Sequence, residues 1–164
     1  MSSLFKLLIT IELLDLALIT PTVNDYYYDI PTPSKKIYPV NDYVGILSKK
    51  EILILNKKLI QIKKKFYSEI LIVIINNIFN DNHNLIASNW GQKWKIGKKG
   101  KDNGIIILLI PKRKKISMQI GYGLEPYLTD ALCKKMINNI LPIYNNNYYQ
   151  TLNKLIDNIT IIFI

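Results

Sequence analysis

The sequence is poor in the residues that most often do chemistry. It has one cysteine, Cys133, and one histidine, His83. A single cysteine excludes an internal disulfide. It falls within a predicted helix, where it suits the role of a small buried hydrophobe. His83 stands in the Asn-rich stretch 80–84 with no cysteine near it, so no zinc site is built there. Nothing places a nucleophile beside it for a Ser-His-Asp arrangement. Arginine occurs once, at Arg113, and alanine is scarce. No P-loop is present to cradle a phosphate, and no RNA-binding aromatic motif or zinc finger is visible. The net charge of +10 therefore does not point to nucleic acid. The lysines are dispersed among turns and polar helix faces. Heavy use of Lys, Ile and Asn with little Arg or Ala is the pattern of A/T-rich codons. A milder attraction to an anionic membrane fits the charge better.

What the chain has in quantity is apolar, β-branched sequence. A hydrophobic fraction of 49% over 164 residues suffices for the core of one domain, with chain left over. The most informative stretch is 102–130. Residues 104–110 form a continuous apolar run, as in a strand buried on both faces. Pro111 and the basic residues after it end that strand in a turn. Ile116, Met118 and Ile120 then alternate with Ser117 and Gln119, which predicts a second strand. The two form a β-hairpin, and pairing back from its turn puts 102–104 beside 121–125. Asp102 and Glu125 thus gather at one end of the sheet. Gly121 and Gly123 make the loop there close-fitting, letting backbone approach backbone or a bound ion.

Residues 1–20 are apolar behind a basic start, the shape of a secretory signal or an uncleaved anchor. Glu12 and Asp15 are costly in a bilayer, and an amphipathic N-terminal helix is the rival reading. Residues 21–39 hold four prolines, at 21, 31, 33 and 39, and predict an extended linker. The domain proper is expected over 40–164. Ser48 and Glu51 form a capping box for a helix with Ile52, Leu55, Leu59, Ile62 and Phe66 on one face. Residues 69–75 predict a buried strand, 76–84 a polar loop, and 85–95 a short helix with Trp90 and Trp94 one turn apart. Residues 128–144 predict a helix capped by Thr129, with Leu132, Met136, Ile140 and Leu141 toward a core and Pro142 bending or ending it. A last helix covers 148–164. Its apolar end is too short to span a membrane. Helix, strand, helix, hairpin, helix, helix describes an α/β domain in three layers, with helices covering a small mixed sheet that contains a central β-hairpin.

Five motifs occur in order: V-N-D-Y-V-G-I-L-S at 40–48, W-K-I-G at 94–97, D-N-G-I-I-I-L-L-I at 102–110, I-G-Y-G-L-E at 120–125 and L-T-D-A at 128–131. With N-N-N-Y-Y at 145–149, they resemble the TPM domain family, which has thylakoid-lumen, photosystem-repair and receptor-modulating members. The resemblance covers about 40–157. It implies an α/β/α sandwich and an extracytoplasmic, lumenal or membrane-anchored location. It also implies calcium or another divalent cation as ligand, and acid phosphatase activity as a possible chemistry. Carried onto this chain, the acidic positions are Asp42, Asp102, Glu125 and Asp130.

Two functions follow. The first is a binding module, because carboxylates are the ligands calcium prefers. It could serve a membrane or a membrane-protein complex. The second is a metal-dependent phosphatase, in which the ion polarises phosphate and activates water. The missing P-loop favours the first, as does an Arg113 expected at the opposite end of the hairpin. The competing structural roles are local: Asp42 preceding the first helix, and Asp130 in a first turn for dipole reasons. Glu69, at a strand entrance, is expected to lie outside the acidic cluster.

Overall fold

A computed structural model describes residues 29–78, 82–141 and 147–164. The apolar segment 1–20, the tyrosine run 26–28 and the helix stop expected at Pro142 lie outside the described residues.

The chain runs β1 (Val40–Asp42), α1 (Lys49–Phe66), β2 (Glu69–Ile74), α2 (His83–Trp94), β3 (Gly104–Ile110), β4 (Lys115–Ile120), α3 (Asp130–Ile140) and α4 (Tyr148–Ile162). Pro111–Arg113 and Tyr122–Leu124 are short 3-10 turns. The strands form one sheet in the order β1-β2-β3-β4. The first three are parallel and β4 returns antiparallel to β3. The hairpin therefore supplies half of the sheet, with β4 at its edge.

Strand periodicity sorts the core into two faces. Ile70, Ile72 and Ile74 of β2 and Ile105, Ile107 and Leu109 of β3 pack with Leu55, Leu59 and Ile62 of α1, Met136 and Ile140 of α3, and Leu152, Leu155 and Ile156 of α4. The alternate set, Leu71, Val73, Ile106, Leu108 and Ile110, packs with Ile86, Ala87, Trp90 and Trp94 of α2. This is the expected α/β/α arrangement. Every residue of β3 is buried, and each such Ile or Leu contributes about 1.5–3 kcal/mol of apolar burial. Part of the proline-rich stretch completes the α2 face. Ile30 is buried there, and the indole of Trp94 donates to the Pro31 carbonyl at 2.8 Å.

The caps are as the sequence predicts. The Ser48 hydroxyl accepts from the Glu51 amide, and the Glu51 carboxylate accepts from the Ser48 amide at 2.7 Å. Thr129 accepts from the Leu132 amide at 3.2 Å. Three details differ from expectation. His83 opens α2 rather than sitting in a loop, because the Asn82 side chain caps the Leu85 amide at 3.1 Å. Leu141 is exposed rather than turned to the core. And Val40–Asp42, expected only to lead into a helix, is a strand.

That strand gives the fold an unusual feature. The steps β1–α1–β2 and β2–α2–β3 cross the sheet in the same direction, yet α1 and α2 lie on opposite faces. The two parallel crossovers therefore have opposite hands, and one is of the rare left-handed kind.

Candidate functional site

The hairpin brings Asp102 and residues 121–125 together, as its pairing predicts. The Gly121 amide donates to the Gly104 carbonyl at 2.8 Å, and the Gly123 amide to the Asp102 carbonyl at 3.1 Å. Asp102 itself holds a left-handed φ of 44°. The glycines are required by backbone meeting backbone. A Cβ on Gly121 would lie 2.0 Å from the Asp102 carbonyl oxygen, and one on Gly123 would lie 1.8 Å from that of Lys101. The contact fixes the Asp102 loop against the Tyr122–Leu124 turn, with Asp102 and Glu125 both exposed. Among the described residues, neither carboxylate takes a hydrogen bond or an ion pair.

A polar network behind this loop holds it to the sheet. The Asn103 side chain is buried, accepts from the Lys98 amide at 2.8 Å and donates to the Tyr67 carbonyl. Glu69 pairs with Lys63 and accepts from the Gly97 amide at 2.9 Å. Glu69 is in register with Gly104. It therefore belongs to this end of the sheet, but its carboxylate is spent on Lys63 and Gly97 rather than on a group with Asp102 and Glu125. A cavity of about 520 Å³ opens here between Lys63, Tyr67, Glu69, Lys98 and Asn103. Asn103 and Lys98 escape sequence reasoning because each is one polar residue in a turn. The D-N-G triplet is the only signal.

Asp42 lies elsewhere. β1 is parallel to β2 and β3, so Asp42 registers with Ile74 and through it with Leu109, at the far end of β3 from Gly104. That is a separation of about 17 Å along the strand. Its carboxylate is committed locally. Oδ1 accepts from the amides of Val44 and Gly45 at 3.0 and 2.8 Å, and Oδ2 from that of Leu47 at 2.9 Å. Asp42 shapes the turn into α1.

Asp130 occupies the first turn of α3, where its charge favours the helix dipole. It also bears on Cys133 one turn later. Burial, and then the Asp130 charge, push that thiol up to about 11.

Calcium takes six to eight oxygens. Among the described residues no three His, Cys, Asp or Glu side chains converge to hold a metal ion. The four acidic positions therefore do not fit one shared cation cage. What the hairpin end offers is two exposed carboxylates, Asp102 and Glu125, on adjoining loops that are clamped backbone to backbone. Arg113 is also remote from it. Its guanidinium donates to Asn77 Oδ1 at 2.8 Å and to the Ile78 carbonyl at 2.7 Å, beside the hairpin turn.

Comparison with solved structures finds the same fold in bacterial domains. The N-terminal domain of a protein from P. gingivalis aligns with a TM-score of 0.70 at 24% identity, covering 76% of this chain and 81% of that one. The BA42 protein from Bizionia argentinensis aligns with a TM-score of 0.64 at 17% identity, covering 74% and 84%. The N-terminal domain of the cg2496 protein from Corynebacterium glutamicum aligns with a TM-score of 0.60 at 18% identity, covering 82% and 86%. At these identities the likeness speaks for the fold alone. No curated protein matches the sequence. The family model for the TPM domain matches residues 40–161, from the first residue of β1 to the last turn of α4. The chain belongs to the TPM domain family.

Proposed function

We propose that this chain is a binding module that takes a divalent cation, calcium first, at the loop pair formed by Asp102 and Glu125. One observation carries the reading. The glycine contacts clamp two loops together, and among the described residues the Asp102 and Glu125 carboxylates on them are exposed and take no hydrogen bond or ion pair. A dication bound between the two loops would neutralise both charges. Lys98, Lys99 and Lys101 stand in the same loop, and water must complete the coordination. Affinity is therefore expected in the weak range of extracellular calcium modules, about 0.1–1 mM. The setting proposed is extracytoplasmic or at a membrane surface, in the service of a membrane-protein partner. Segment 1–20 and family membership support it. Among the described residues no helix is long and apolar enough to cross a membrane.

The alternative, a metal-dependent phosphatase, asks for a cation to hold the phosphate beside the metal. Lys98, Lys99 and Lys101 could supply that charge, but the one arginine, which would grip a phosphate with a bidentate fork, is tied to the opposite end of the sheet, and no P-loop is present. Calcium titration of the full chain, followed by amide NMR shifts, separates the two. The binding module predicts saturable shifts confined to 101–104 and 121–125, and no turnover of an aryl phosphate in the same samples. Shifts spread uniformly over all acidic residues contradict the site. Turnover that disappears in Asp102→Asn promotes the enzyme.

A further inference from the structure

β4 pairs on one side only. Its inner edge meets β3, and among the described residues its outer edge meets no strand. The ladder shows which groups that edge presents. Gly121 donates to Gly104, so these two form a hydrogen-bonded pair. Antiparallel ladders alternate between bonded and non-bonded pairs. The bonded pairs are then Gln119 with Ile106, Ser117 with Leu108, and Lys115 with Ile110. The N–H and C=O groups of Ile116, Met118 and Ile120 point the other way, out of the sheet. Among the described residues no turn, cap or side chain satisfies them.

This edge is the floor of a groove of about 510 Å³. One wall is α3 and its C-cap, where Cys133, Ile137 and Leu141 alternate with Asp130, Lys134 and Asn138. The other is the start of α2, where Asn84 accepts a hydrogen bond from Ser117 Oγ at 2.7 Å. An added strand alternates its side chains between the two faces of a sheet. In this groove one set would meet the mixed α3 wall, with its apolar Cys133, Ile137 and Leu141, and the other the polar start of α2. The charge is one-sided. Lys114, Lys115 and Lys134 line the groove, against the single carboxylate of Asp130.

We propose that the β4 edge is a docking strand for an extended, acidic segment of a partner protein, bound by β-augmentation. Main-chain bonds to Ile116, Met118 and Ile120 supply the pairing. Residues of one parity pack on α3, and carboxylates near the hairpin turn meet Lys114 and Lys115. A second copy of this chain is the weaker occupant, because two molecules of net charge +10 repel. The inference is independent of the cation site, which lies on the far side of Gly121.

The test uses the full chain and a labelled synthetic peptide in which valine alternates with threonine behind a leading run of glutamates. Saturable binding is expected, with hydrogen exchange slowed at the amides of Ile116, Met118 and Ile120. Two N-methylated versions of the peptide, each blocked along one edge, leave the protein untouched. One is expected to lose binding about tenfold or more, because its main-chain bonds to β4 are gone, and the other to keep it. Met118→Pro removes one outward N–H without breaking a bond to β3 and is expected to weaken binding. A lysine-for-glutamate peptide is expected to bind about tenfold more weakly. Absence of binding, equal behaviour of the two methylated peptides, or protection elsewhere overturns the proposal. Protection that rises with protein concentration alone, with a dimer in sedimentation, overturns it in favour of a second copy.

Discussion

At the scale of single residues, two kinds of acidic position look alike in sequence and differ in space. Asp42 and Asp102 each stand in a short family motif next to a glycine-bearing turn. Asp42 spends its carboxylate on three amides of its own loop, whereas Asp102 spends its carbonyl on Gly123 and leaves the carboxylate exposed. No spacing rule separates these roles, because both depend on where the chain goes next. Asp42→Ala is expected to lower stability by about 2–3 kcal/mol, since it strands amide donors. Urea unfolding measures it. Gly123→Ala is expected to cost a similar 1–3 kcal/mol or more, because the clash is with backbone that cannot rotate away. Glu51 offers a pH-dependent case. Hydrogen bonds from the Ser48 amide and then its hydroxyl hold the Glu51 carboxyl below its ordinary value of 4.5. Its stabilising effect is present above the unfolded value and is lost as pH falls through the lower, folded one. Glu51→Gln should flatten that part of the acid limb in a stability-versus-pH curve, by a small amount because the side chain is exposed.

At the scale of elements, apolar periodicity carried most of the information. The runs that became β2 and β3, the α1 stripe and the tryptophan helix are legible because each buries a repeated face. β1 is illegible for the opposite reason. Three residues, V-N-D, have no period, and their extension is imposed by pairing with Ile72–Ile74. With β1 goes the register, and with the register goes the position of Asp42. The hand of the crossovers is equally hidden, since it needs both the strand and the faces of two helices. Gly91 was also beyond reach. In the middle of α2 it looks like a weak helix residue, but a Cβ there would lie 2.9 Å from Cγ1 of Ile106. The glycine lets α2 settle closely on β3. Gly91→Leu is expected to destabilise by about 1–3 kcal/mol through overpacking, read as a lower urea midpoint at unchanged slope. Cys133, deep against β4, reports on the α3 layer. With its thiol pushed up to about 11, it should alkylate slowly in the native protein at neutral pH and rapidly after unfolding. Its contribution to pH dependence has the opposite sense to that of Glu51. It is intact below the unfolded value of 9.0 and is lost as pH rises toward 11.

At the scale of the whole molecule, the two ends of the sheet and its open edge have different tasks. The clamped end that carries Asp102 and Glu125 is the one proposed for a cation, the Asp42 carboxylate at the other end is spent on its own turn, and the β4 edge is the one proposed for docking. The family motifs span both ends, so their order in sequence marks the fold and not a single shared site. The claim that matters most is the cation site. It is tested most directly by thermal unfolding with and without about 10 mM calcium, roughly tenfold above the upper affinity limit expected of such a module. Binding to the folded form alone adds about 1.4 kcal/mol by RT ln(1 + [L]/Kd), roughly 3–6 °C for a domain of this size. The account predicts that gain in the native protein and in Asp130→Asn, and its loss in the Asp102→Asn, Glu125→Gln double variant. No gain in the native protein, or an equal gain in the double variant, contradicts it.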